Sequence, residues 1–112
     1  MDLASKVVDK MLSSDAFSKW LGIEILEISK GYCKLKMKVR KEMTNGVNIA
    51  HGGITYSLAD SSLAFAANSY GIQSLSVETS INYTKKVMNG DTLIAETKEI
   101  EQKEKTASQR LY

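Results

Sequence analysis

The chain has 112 residues, of which 43% are hydrophobic and 25% are charged, and its net charge is +2. This length and composition predict one globular domain with a modest core. The 15 basic residues nearly balance the 13 acidic ones, which argues against nucleic-acid binding, and no apolar run reaches the roughly 18 residues of a membrane span.

Two further features concern the cell compartment. Cys33 is the single cysteine of the chain, so a disulfide within the chain is impossible. Residues 1–10 mix charged and apolar side chains and contain no apolar core of signal-peptide length. We therefore expect a cytoplasmic protein.

The N-terminal segment, residues 1–22, is predicted to be helical. Apolar residues recur at helical spacing from Leu3 to Met11, and Asp2 is placed as an N-cap. A side chain at the N-cap position accepts a hydrogen bond from an unpaired backbone N–H of the first turn. We expect this helix to lay one apolar face on the rest of the domain.

A second, shorter helical turn is predicted immediately afterwards. Ser14 or Asp15 can cap its start, and Gly22 is placed as its C-terminal stop because glycine adopts the left-handed conformation that ends many helices. Phe17 and Trp20 lie within this turn. We expect both aromatic side chains to be core anchors rather than parts of a ligand site.

From Ile23 onward the period changes from helical to two. Residues 23–28 form a mixed strand, residues 29–31 a turn, and residues 32–40 alternate strictly between apolar and basic side chains. This pattern predicts an antiparallel hairpin with one buried and one solvated face. Cys33 belongs to the apolar face, so we expect a small core residue and not a reactive thiol. The other members of that face are Leu35, Met37 and Val39.

A polar loop at residues 41–50 leads into a long apolar segment, residues 53–70. Apolar side chains fall on most faces of this segment, which predicts a buried helix. Asp60 is its one charged residue. A carboxylate removed from water costs several kcal/mol unless it is paired, so Asp60 requires an explanation. At about 100° per residue, Asp60 shares one stripe with the small residues Gly53, Ser57, Ala64 and Ala67.

Period two returns in the C-terminal third of the chain. Residues 72–87 are predicted to form a strand, Asn89-Gly90-Asp91 a hairpin turn, and residues 92–100 the next strand. Residues 99–105 are charged and are expected to form a solvated strand end or turn. Residues 106–112 are expected to begin a further strand.

The order of these elements predicts an α+β fold, in which an antiparallel sheet packs against one central helix. We expect a single domain over residues 1–112. Within it, residues 1–22 form the helical segment and residues 23–112 form the core of sheet and central helix. No internal repeat or low-complexity linker interrupts the chain.

The start of the central helix is the candidate reactive site. Backbone N–H groups at a helix N-terminus carry partial positive charge, and those of Gly52 and Gly53 could polarise a carbonyl oxygen as an oxyanion hole does. His51 adds a possible donor, and Asp60 is a candidate general base or nucleophile. The residues alone also allow a purely structural role: a tight turn at the glycines, an N-capping His51, and an Asp60 paired with a buried donor.

The helix rise places Asp60 about 10–12 Å from Gly52 within one chain. One copy of the helix therefore cannot easily bring both groups to one reacting atom. Two antiparallel copies could, which favours a homodimer.

The segment His51-Gly-Gly-Ile-Thr-Tyr-Ser-Leu-Ala-Asp60, with Asn45 six residues before the histidine, resembles the signature of the PaaI-type (phenylacetate-pathway-like) hotdog-fold acyl-CoA thioesterases. Leu21-Gly-Ile-Glu24, Ser76-Val-Glu78 and Gly90-Asp-Thr-Leu93 are similar to the family as well. The resemblance covers roughly residues 17 to 112, and the combination of motifs is specific at family level.

The resemblance implies a hotdog fold, a curled antiparallel sheet around the central helix, in a homodimer with two interfacial sites that is commonly paired into a homotetramer. Asp60 of one subunit would act as base or nucleophile at the thioester carbon, and Gly52 and His51 of the other would polarise its carbonyl. Asn45 would position the attacking water. The remaining implied substrate contacts are Gly53, Ser76 and Lys85, the last near the coenzyme A arm.

Two departures from the family pattern stand out. Lys86 occupies a position where the family often has proline, so the following loop is expected to differ. Family members also continue for a further strand or so beyond Tyr112, so the C-terminal strand is expected either to be missing or to be replaced by another arrangement.

The predicted function is hydrolysis of an acyl or aryl-acyl coenzyme A thioester to the free acid and coenzyme A. No metal and no cofactor is expected, because coenzyme A is part of the substrate and one histidine without a ligand cluster does not suggest a metal site. The alternatives are a non-catalytic acyl-CoA-binding hotdog protein, another hotdog enzyme such as a hydratase, and a truncated, poorly active family member.

Overall fold

A computed structural model describes residues 2–71, 85–101 and 106–111, with side chains over residues 2–71 and 85–98. Its helices are α1 (Leu3–Ser14), α2 (Ala16–Leu21) and α3 (Gly52–Asn68), and a 3-10 turn spans Lys41–Met43. Its strands are β1 (Glu24–Ser29), β2 (Tyr32–Lys38), β3 (Thr92–Glu101) and β4 (Thr106–Leu111).

The four strands form an antiparallel sheet in the order β1-β2-β3-β4. Each of these strands pairs with the next one in the order: β1 with β2, β2 with β3, and β3 with β4. Helix α3 packs across one face of the sheet, against β2 and β3. The α+β architecture with one central helix is therefore confirmed.

Local capping determines where the two N-terminal helices begin and end. The Asp2 carboxylate accepts a hydrogen bond from the Ser5 N–H at 2.8 Å, which lowers the pKa of the Asp2 carboxyl. The Asp15 carboxylate caps α2 by accepting from the Ser18 N–H at 3.0 Å. Gly22 ends α2 with φ at 73°, in the left-handed region. Of the two predicted capping candidates, Asp15 is the cap.

The β1–β2 hairpin explains why the first strand had a mixed pattern. The pairing register shifts between Ile25 and Glu27, so Leu26 is an additional residue in β1. The shift lets Ile25 and Ile28 both pack against the core, while Leu26 is 46% exposed. Strict alternation fails in β1 because of this bulge.

The core lies between the sheet and the helices. The predicted apolar face of residues 32–40 is fully buried: Cys33, Leu35 and Met37 of β2, and Val39 just after it, are each inaccessible to solvent. Leu58 and Phe65 of α3 and Val8 of α1 pack against the same cluster. The prediction that Cys33 is a core residue is thus confirmed.

Helix α3 is buried on one side only, which corrects the expectation of a helix buried on most faces. Its inner side includes Ile54, Leu58 and Phe65, whereas Gly53, Asp60 and Ala67 are exposed and Ser57 and Ala64 are half-buried. The sheet of one chain can cover only one side of a helix. The stripe of small residues that contains Asp60 therefore faces outward.

Helix α2 corrects a second expectation, because Phe17 and Trp20 are not core anchors. Phe17 is 51% exposed and Trp20 is 45% exposed, while Ser18 and Leu21 of the same helix are buried. In a helix this short only one side can contact the core, and here that side carries Ser18 and Leu21.

The predicted turn at residues 89–91 is confirmed. Gly90 has φ at 94°, a conformation that favours glycine, and the Asp91 side chain accepts a hydrogen bond from the Met88 N–H at 2.8 Å. Of the strand predicted at residues 72–87, residues 72–84 lie outside the described residues. Residues 85–87 are not in a strand, although the Val87 carbonyl accepts a hydrogen bond from the Ala50 N–H.

Candidate active site at the start of the central helix

His51 is the N-cap of α3. Its Nδ1 atom accepts a hydrogen bond from the Gly53 N–H at 2.9 Å. A neutral histidine that accepts at Nδ1 carries its proton on Nε2, so the outer edge of this exposed ring presents a hydrogen-bond donor. The capping role and the donor role, which the sequence left as alternatives, are thus compatible in one side chain.

Glycine at position 53 allows this cap to form. A Cβ atom built on Gly53 would lie 3.2 Å from His51 Nδ1 and 3.5 Å from its Cε1, which is tighter than ordinary contact. The Gly53 N–H is already donated to His51 Nδ1, which argues against its donation to a substrate oxygen. Gly52 is the first residue of the 17-residue helix, where the helix dipole is positive.

Asn45 organises the loop that precedes the helix. Its Oδ1 atom accepts hydrogen bonds from the Val47 N–H at 3.0 Å and the Ile49 N–H at 3.3 Å. Asn48 stands in this turn with φ at 64°. The Asn45 carboxamide oxygen is therefore committed to the loop, and any contact with a water would fall to its Nδ2 atom.

Asp60 lies on the exposed stripe of α3, about 12 Å along the axis from Gly52 by the helix rise. In the described part of the chain no hydrogen bond or ion pair involves its carboxylate. The desolvation cost that made Asp60 conspicuous in the sequence does not arise within one chain, because water still reaches the group. Covering the stripe would impose that cost.

The two remaining predicted substrate contacts are Lys85 and Ser76. Lys85 is exposed, and Ser76 lies outside the described residues. Within those residues, no three histidine, cysteine or acidic side chains are grouped so that they could hold a metal ion. In the same part of the chain, no helix combines the length and apolarity needed to cross a membrane.

A groove of about 360 Å³ opens beside the start of α3. His51, Gly53 and Ser57 form its helical side. Phe17, Met43 and Ile54 supply apolar walls, and Glu42 and Thr44 supply polar ones. This volume falls within the range of ligand pockets, about 300–1,000 Å³.

The groove unites part of the predicted site with residues that sequence reasoning missed. His51 and Gly53 were predicted, whereas Phe17 was assigned to the core and Glu42, Met43 and Thr44 were not singled out. Asn45 and Asp60 do not line the groove. The position of residues 42–44 directly before Asn45 could have indicated that they belong to the site. No local sequence pattern connects Phe17 with His51.

Comparison with known proteins supports the family that this site suggests. The Thioesterase superfamily model matches residues 47–110, more than half of the chain. An esterase-like protein of Archaeoglobus fulgidus is 42% identical over 106 residues, covering 95% of this chain and 69% of that protein. Acyl-coenzyme A thioesterase PaaI of Escherichia coli is 38% identical over 85 residues, covering 76% of this chain and 61% of that enzyme.

The solved structure of the E. coli PaaI protein from the phenylacetic acid degradation operon superposes with a TM-score of 0.85 at 27% identity, covering 96% of this chain and 88% of that one. The chain therefore belongs to the Thioesterase superfamily, as a PaaI-type hotdog-fold thioester hydrolase. It spans about 60–70% of the length of the two relatives described above.

Proposed function

We propose that the protein hydrolyses acyl-coenzyme A thioesters at a site shared between two copies of the chain. One observation carries this proposal. Asp60 and the start of α3 face outward on the same side of one helix, yet they are separated by about 12 Å. A second copy that covers this stripe in the antiparallel sense would bring its own Asp60 toward Gly52 and His51.

In this arrangement the substrate's carbonyl oxygen accepts hydrogen bonds from the Gly52 N–H and from His51 Nε2. These donors stabilise the negative charge that develops on the oxygen as the carbonyl carbon becomes tetrahedral. Asp60 of the partner copy acts at the carbon, either by taking a proton from the attacking water or by attacking directly. If Asp60 takes the proton of the water, the carbon–sulfur bond breaks, the proton passes from Asp60 to the leaving sulfur, and the water oxygen stays on the carbon in the free acid. If Asp60 attacks directly, coenzyme A leaves as a thiolate that takes a proton from water, and a second water hydrolyses the resulting anhydride between the acyl group and Asp60 to give the free acid.

The peripheral residues complete the proposal. Asn45 Nδ2 would hold the attacking water, Gly53 would keep the approach open by lacking a side chain, and Ser76 and Lys85 would contact the substrate. The reaction requires no metal or added cofactor. We propose a homodimer, with a homotetramer as its further assembly, and a cytoplasmic location, which suits the buried, unpaired Cys33.

The central test is thiol release from a panel of acyl-CoAs by the wild type and Asp60→Asn. We expect Asp60→Asn to lose at least about 100-fold in kcat, as removal of a general base commonly does. Asp9→Asn is the matched control, because Asp9 is also an exposed helical aspartate, on α1. An Asp60→Asn variant as active as the control would contradict the proposal.

The same experiment addresses the alternative of a non-catalytic acyl-CoA-binding protein. Calorimetric titration with an acyl-CoA should be run beside the turnover assay. Binding by the wild type without release of thiol from any substrate would favour the binding protein over the hydrolase.

A further inference from the structure

The groove at the start of α3 has an aromatic wall that the fold itself does not require. Phe17 lines the groove, whereas Leu21 is the apolar residue of α2 that packs in the core. Half of the Phe17 surface stays exposed. Phe17 and the neighbouring Trp20 are both about half exposed, and adjoining exposed apolar side chains beside a groove are typical of a binding surface.

The Phe17 ring is held in place from behind. It stacks on Trp20 with ring centroids 6.0 Å apart and an angle of 9° between the planes. The Arg40 guanidinium lies over the Trp20 ring, 4.4 Å from its centroid, and it donates hydrogen bonds to the carbonyl oxygens of Trp20 and Leu21. The wall is therefore preorganised, which reduces the entropy lost when a ligand binds.

Charge indicates which part of an acyl-CoA the groove can take. Glu42 is the charged member of the groove lining, and its side chain is 64% exposed. Its carboxylate forms an ion pair with Arg40, with 3.1 Å between Nε and Oε2, so the groove lining offers the negatively charged phosphates of coenzyme A a carboxylate and no free cation. An uncharged acyl end needs no cation and would contact Phe17, Met43 and Ile54.

We infer that this groove binds the acyl group, with Phe17 as a specificity-determining wall that favours bulky uncharged acyl groups and Glu42 as a charge filter against acyl groups that end in a carboxylate. The inference rests on the function proposed above. It places the acyl group beside His51 and Gly53 and directs the coenzyme A moiety away from Glu42.

The test of the aromatic wall measures kcat/KM for benzoyl-, hexanoyl- and acetyl-CoA with the wild type, Phe17→Ala and Phe17→Leu. We expect Phe17→Ala to lower the preference for benzoyl over acetyl about tenfold or more, as the loss of apolar pocket contacts does, and Phe17→Leu to recover part of it. Leu26→Ala is the control, because Leu26 is an equally exposed apolar residue on the β1 bulge.

The test of the charge filter compares butyryl-CoA with succinyl-CoA. We expect the wild type to prefer butyryl-CoA, and Glu42→Gln to reduce that preference about tenfold, because the substitution removes a carboxylate and unpairs Arg40, whose Nε lies 3.1 Å from it. An unchanged preference in Glu42→Gln would refute this part.

The outcomes distinguish a failure of this inference from a failure of the proposed function. If the wild type releases thiol from none of these substrates, the proposed function fails. If it turns them over but Phe17→Ala keeps the wild-type preference, the function stands and the inference is overturned. The inference is also overturned if Phe17→Ala changes only the mass of the particle in light scattering, because Phe17 would then contact a second copy of the chain.

Discussion

His51 Nδ1 accepts the Gly53 N–H at 2.9 Å, and this one hydrogen bond determines how the reactive end of α3 is presented. It starts the helix, orients the imidazole ring and leaves Nε2 as the outward donor. A residue that caps the helix and also contacts the substrate has two separable roles. Substitutions can therefore be chosen that remove one role and keep the other.

We expect His51→Ala to lower the free energy of unfolding by about 1 kcal/mol, the usual cost of losing an N-cap. His51→Asp and His51→Asn should retain most of that stability, because both side chains can accept the Gly53 N–H. Urea denaturation of the three variants measures this. If His51→Asp were as unstable as His51→Ala, the hydrogen bond from the Gly53 N–H to the capping side chain would not contribute to the stability of the protein.

Gly53→Ala should reduce activity about tenfold, because a small displacement of a catalytic group is costly and the added Cβ would crowd the His51 ring at 3.2 Å. Stability should change by less than about 1 kcal/mol, since the helix propensity of alanine offsets the crowding. The control is Gly46→Ala, where an added Cβ meets nothing within 4 Å. Equal activities of the two variants would contradict the expectation.

A shared site predicts complementation between two inactive variants. His51→Asp keeps the cap but removes the donor, and Asp60→Asn removes the carboxylate. When equal amounts of the two variants are refolded together, half of the dimers should contain one chain of each variant. One of the two sites in each mixed dimer would then be intact, so activity should return to about a quarter of the wild-type value. Activity no greater than the sum of the two separate variants would argue that each site lies within one chain.

Burial raises the pKa of the Cys33 thiol from an ordinary value of 9.0 to about 12, despite a hydrogen bond with Ser62 that acts in the opposite direction. The folded state thus favours the neutral thiol. Its contribution to stability is full below pH 9 and is lost as pH rises toward 12.

We therefore expect iodoacetamide to leave native Cys33 unmodified at pH 8 and to label it rapidly in urea, because only the thiolate reacts. Mass spectrometry of the intact protein measures the labelling. Rapid labelling of the native protein would show that the thiol is accessible. Loss of stability between pH 9 and 12 should be smaller in Cys33→Ala.

Much of the fold and part of the site could be predicted from the sequence, because local patterns encode them. The alternation over residues 32–40 determines which side chains share a face, and all four predicted inner residues are buried. Short-range capping likewise determines the ends of α2, through Asp15 and Gly22. His51 and Gly52 were recognisable because a helix start has a local chemical signature.

Only the tertiary structure decided which faces are covered. Periodicity shows that Gly53, Asp60 and Ala67 share a stripe, but not that the sheet of one chain leaves this stripe exposed. For the same reason Phe17 could not be assigned to the groove from the sequence, since its neighbour there, His51, is far away in the chain. A side-chain pattern specifies a surface, whereas burial depends on what packs against that surface.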